Sequence, residues 1–75
     1  MRQINEILKD IQNGKWLRDK NFGLSLAKEF SEAYEHWMQT EHPTEYASAS
    51  IRTAVRPFYR RVAIWLMTPP SQQEA

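Results

Sequence analysis

The 75-residue sequence predicts an all-α fold, a small three-helix bundle, and three observations carry that prediction. Apolar residues recur at helical spacing in three separate segments. Glycine and proline sit between those segments, where helices stop. The composition, 41% hydrophobic and 25% charged, is that of an ordinary globular domain. A chain this short hides only about 60% of its unfolded surface. Three Trp, three Tyr and three Phe therefore have to supply much of the core, and a second copy or a tight partner would supply the remainder.

The first helix is expected at residues 2–13, where Ile4, Ile7, Leu8 and Ile11 line one face and Asn13-Gly14 provides a left-handed stop. Residues 15–21 read as a connection of no more than one helical turn, tied to the core by Trp16 and Leu17. A second helix is expected from about Ser25 to Thr40. Ala27, Phe30, Ala33, Tyr34, Trp37 and Met38 gather on its inner side, and Lys28, Glu29, Glu32, Glu35, His36 and Gln39 on the outer one. Pro43 ends it by disfavouring helical geometry at His42.

The third helical region runs from about Thr44 to Met67, with a start signal at Ser48 or Ser50. Ile51, Val55, Phe58, Val62, Trp65 and Leu66 keep one phase along it and form its core stripe. Pro57 falls on the outward side, which predicts a kink in one helix; the alternative is a break that makes a fourth helix. Pro69-Pro70 closes the region. Residues 1–68 are thus expected to form a single helical domain and residues 69–75 a disordered tail. The longest apolar run, Val62 to Met67, is far below the roughly 20 residues of a spanning helix, and the N-terminus lacks the apolar run of an export signal. A cytoplasmic location is expected.

Net charge is only +1, but the charges are segregated. Residues 29–45 hold five glutamates and no lysine or arginine, whereas residues 46–67 hold Arg52, Arg56, Arg60 and Arg61 and no acid. A dipolar surface of this kind orients a charged partner.

Catalytic chemistry is missing. With no cysteine there is no thiol nucleophile or thiolate metal site, no serine lies in a nucleophile-elbow motif, and two glycines cannot build a phosphate-cradling loop. Glu32 and His36 are four apart, the spacing of a surface helix pair. His36 and His42 are six apart and do not share a helix face, so no metal or other cofactor is expected.

The string Ser48-Ala49-Ser50-Ile51-Arg52-Thr53-Ala54-Val55-Arg56 resembles the second helix of ribbon-helix-helix repressors. The resemblance implies that Phe22-Gly23-Leu24-Ser25-Leu26 is a DNA-reading strand and residues 27–40 the first helix. That strand would offer only Gly23 and Ser25 to the bases, and Pro57 would fall inside the second helix. The nine-residue match carries no family assignment.

At the end of the third helix, Ala63 to Met67 are apolar all the way round. Trp65 and Leu66 point with the core stripe, whereas Ile64 and Met67 continue the Arg56–Arg60 side. Apolar or aromatic anchors bordered by arginine are the makeup of an interface. The leading expectation is a non-enzymatic interaction protein, in the manner of an inhibitor or accessory subunit, that binds a larger protein or complex. Its contact surface would be Arg52, Arg56, Tyr59, Arg60, Ile64 and Met67, with Glu29, Glu32 and Glu35 as a second, acidic surface. The alternative is a dimeric DNA- or RNA-binding regulator that uses the Arg52, Arg56 and Arg60 stripe, although a pI near 8.1 is below that of dedicated nucleic-acid binders. A third reading rests the same end on a membrane surface through Trp65.

Overall fold

A computed structural model describes residues 2–68, and the expected tail at 69–75 lies outside them. The first helix, α1 (Ile4–Asn13), buries Ile4, Ile7 and Ile11, with Leu8 packed alongside. Its end follows from Gly14, whose φ of 78° is the left-handed geometry that a Cβ would oppose. The single helical turn foreseen in the connection is a 3₁₀ turn, Lys15–Arg18. Trp16 is buried, and its indole N–H donates to the Ile11 carbonyl at 2.7 Å, which satisfies its one polar atom. Leu17, expected to help tie the connection down, is instead half exposed.

The second helix, α2 (Lys20–Glu41), starts five residues before the expected Ser25. Asp19 caps it, its carboxylate accepting from the Phe22 amide at 3.1 Å. Phe22 to Leu26 is therefore helix, and the DNA-reading strand implied by the ribbon-helix-helix resemblance does not exist. The inner face gains Gly23 and Leu26, both buried, whereas Met38 stands at its margin, 39% exposed. Helix α2 ends where Pro43 requires: His42 takes left-handed geometry with φ 48°.

The third helix, α3 (Glu45–Met67), is capped by Thr44, whose hydroxyl accepts from the Ala47 amide at 3.1 Å. It runs through Pro57 without a break, so the described fold has three α-helices and no fourth. Pro57 is exposed, so the carbonyl it leaves without a donor can be solvated. Val55, Phe58 and Val62 are buried as expected, with Ile51 and Trp65 partly so. Leu66 departs from the stripe and is 71% exposed.

The helices pack up, down and up. Ser31 and Tyr59 share a hydrogen bond at 3.3 Å and the Ser48 hydroxyl donates to Met38 Sδ at 3.3 Å, which makes α2 and α3 an antiparallel hairpin. Helix α1 lies along one side of that hairpin. Its N-terminal end meets the C-terminal half of α2, where Ile4 faces Ala33 and Trp37 across a shared pocket, and the preceding Arg2 bonds Glu29 near the middle of α2. At its other end Trp16 sits edge-on to Phe58 at 4.8 Å and to Trp65 at 6.2 Å. The result is elongated, 42 × 20 × 19 Å.

Candidate protein-binding surface

One side of the hairpin is covered by α1 and the 3₁₀ turn; the opposite side is open. Trp16 orients the covered side, since it packs on Phe58 and Trp65. Tyr59, Ala63 and Leu66 then face the other way, one position round the helix. There Leu24, Ala27, Lys28 and Ser31 of α2 and Tyr59, Val62, Ala63 and Leu66 of α3 line a shallow groove. It continues through Tyr59 and Ala63 into a second groove along α3, lined also by Arg52, Thr53, Val55, Arg56 and Arg60. No residue of α1 lines either groove.

The structure thus brings four of the six expected contact residues, Arg52, Arg56, Tyr59 and Arg60, onto one groove. The three arginines are exposed and, among the described residues, form no ion pair. Tyr59 is half-buried. Its ring lies 5.7 Å from both Phe30 and Phe58, and its hydroxyl meets Ser31, so it is a fixed wall with one exposed edge. Ile64 and Met67 lie outside the groove lining and are 56% and 82% exposed. The connection carrying Trp16 does not fold over them.

Two participants escaped sequence reasoning. Leu66 was placed in the core by phase alone, yet it stands at the open end of the hairpin beside Leu24. Arg2 bonds both Glu29 and Asp10, joining residues 8 and 27 positions away. The Arg2 guanidinium holds the Glu29 carboxyl below its ordinary range by hydrogen bonding, against the opposing effects of partial burial and of Asp10. Glu29 is thereby engaged within the fold and leaves the acidic surface, which reduces to Glu32 and Glu35. Those two are exposed and line a shallow patch with His36 and Gln39.

Among the described residues no group of three His, Cys, Asp or Glu is placed to hold a metal ion. No helix is long and apolar enough to cross a membrane. No protein-family model, curated protein or solved structure matches the chain, so the functional reading rests on the surface itself.

Proposed function

We propose that this chain is a non-enzymatic interaction protein that docks on a larger protein or complex and modulates it through the C-terminal half of α3. Ile64 and Met67 are the apolar anchors, Tyr59 the rigid wall, and Arg52, Arg56 and Arg60 the charged surround. One observation supports this most: Ile64, Leu66 and Met67 expose more than half of their surface within four residues of one helix. Single exposed apolar residues are common, but a cluster rimmed by unpaired arginine has the makeup of a contact site.

Affinity capture with the wild-type chain, repeated after nuclease treatment, tests the reading. The double substitution Ile64→Asp with Met67→Asp is expected to keep the helical circular dichroism, because both residues are exposed, and to lose the captured protein. Retention of the same partner by the folded double variant would remove the proposal. Loss of the captured protein on nuclease treatment would favour the nucleic-acid reading, for which the unpaired arginine stripe is the supporting feature.

A further inference from the structure

We propose that the open face of the α2–α3 hairpin binds a second copy of this chain, the two hairpins facing each other about a two-fold axis that runs along the helices. This goes beyond the docking function above and does not depend on it.

The face is built from complementary halves. On its α2 half, Glu35 stands one turn beyond the groove-lining Ser31, and Glu32 one turn beyond the groove-lining Lys28. Both glutamates are exposed and unpaired among the described residues, and no lysine or arginine lies between Glu29 and Glu45. On its α3 half, Arg52 and Arg56 are equally exposed and unpaired, with no acid from Tyr46 to Met67. Toward the other end the face is apolar, with Leu24 on one helix and Leu66 on the other lining the same groove. Ser31 stands level with Tyr59 and Met38 with Ser48, so Glu35 stands level with the α3 turn that carries Arg52 and Arg56.

Two such faces can close in two symmetric ways. A two-fold axis across the helices sets α3 on α3 and presses one arginine stripe against the other, which like-charge repulsion opposes. An axis along the helices sets α2 of one copy on α3 of the other at the same level. Glu35 then meets Arg52 and Arg56 of the other copy, and Leu24 meets Leu66, twice over by symmetry. Helices of 22 and 23 residues are about 33 Å long at 1.5 Å per residue. With a molecular width of 20 Å, the flat area of the face is on the order of 650 Å², close to the roughly 800 Å² per partner of a standard interface.

The test is sedimentation equilibrium of the pure chain from about 10 μM to 1 mM. A reversible dimer of twice the 8.9 kDa chain mass is expected. Leu66→Asp should raise the dissociation constant at least about tenfold, and Ile64→Asp, outside the face, should leave it within about twofold. Glu32→Arg with Glu35→Arg, and separately Arg52→Glu with Arg56→Glu, should each give a folded monomer. An equimolar mixture of these two variants should restore the dimer, because every cross-contact again pairs an acid with an arginine. The neutralising pair Glu32→Gln with Glu35→Gln adds no like charge and should weaken the wild-type dimer about tenfold while flattening its salt dependence. A wild-type chain that stays monomeric throughout, a mixture of the two folded variants that stays monomeric, or a dimer indifferent to Leu66→Asp or to the neutralising pair would each overturn the proposal. None of these measurements includes another protein, so they fail or succeed separately from the docking function.

Discussion

At the scale of single residues, Gly23 shows how tightly the upper end of the bundle is closed. A Cβ added there would lie 2.5 Å from one ring carbon of Trp65 and 2.9 Å from another. The Trp65 ring cannot retreat freely, because it is edge-on to Trp16, which is itself buried. Gly23→Ala therefore sets two effects against each other. Alanine favours the helix by about 1 kcal/mol over glycine, whereas overpacking costs about 1–3 kcal/mol. With a contact this short the packing term wins, and a net loss of about 1–2 kcal/mol is expected as a lower urea midpoint with an unchanged slope. A higher midpoint would mean that the Trp65 ring turns aside without cost. Glycine at this position was legible in the sequence only as a weak strand or helix residue, since its role depends on a ring 42 positions away.

At the scale of elements, the three-helix order and most of the inner faces were legible, because each segment repeats its apolar residues over several turns and its ends carry Gly14, Pro43 or a capping residue. The start of α2 was hidden for a local reason. Phe22-Gly23-Leu24 breaks the amphipathic pattern, and the signal that overrides it is the Asp19 cap, three residues before Phe22. Leu66 was misplaced because angular phase says which side of α3 a residue occupies and not whether a neighbour reaches it there. The uninterrupted course of α3 through Pro57 leads to a prediction of its own. A proline inside a helix is about 3 kcal/mol less favourable than alanine, offset by about 0.4–1 kcal/mol from its stiffening of the unfolded chain. Since Pro57 is exposed and packs on nothing in the core, Pro57→Ala should raise stability by about 2–2.6 kcal/mol in urea unfolding. Destabilisation instead would show that the backbone geometry Pro57 sets is needed to seat the neighbouring Phe58 in the core.

At the scale of the whole molecule, the shape explains why so much of α3 is left uncovered. Helix α1 has 10 residues against 22 and 23 in the hairpin, so it spans less than half the hairpin's length at 1.5 Å per residue. The radius of gyration, 13.3 Å, exceeds the roughly 11 Å of a compact chain of this length. Closure at the far end of the covered side falls to Trp16, which joins α1 through the Ile11 carbonyl, α3 through Phe58 and Trp65, and α2 by lying 3.6 Å from where a Gly23 Cβ would stand. A domain of this size has a total stability of about 4–11 kcal/mol at 0.05–0.15 kcal/mol per residue. Truncating a buried tryptophan costs about 3–5 kcal/mol, a loss comparable with the lower part of that range. Trp16→Ala is accordingly expected to leave the chain largely unfolded or on the edge of unfolding at room temperature, with a collapsed thermal transition by circular dichroism. Trp16→Phe should retain a cooperative transition at a lower midpoint, since it keeps a ring against Phe58 and removes the indole N–H that Ile11 accepts. Near-wild-type stability of Trp16→Ala would mean that the α2–α3 hairpin holds itself together, with its uncovered face, rather than the side beneath Trp16, supplying the burial that counts.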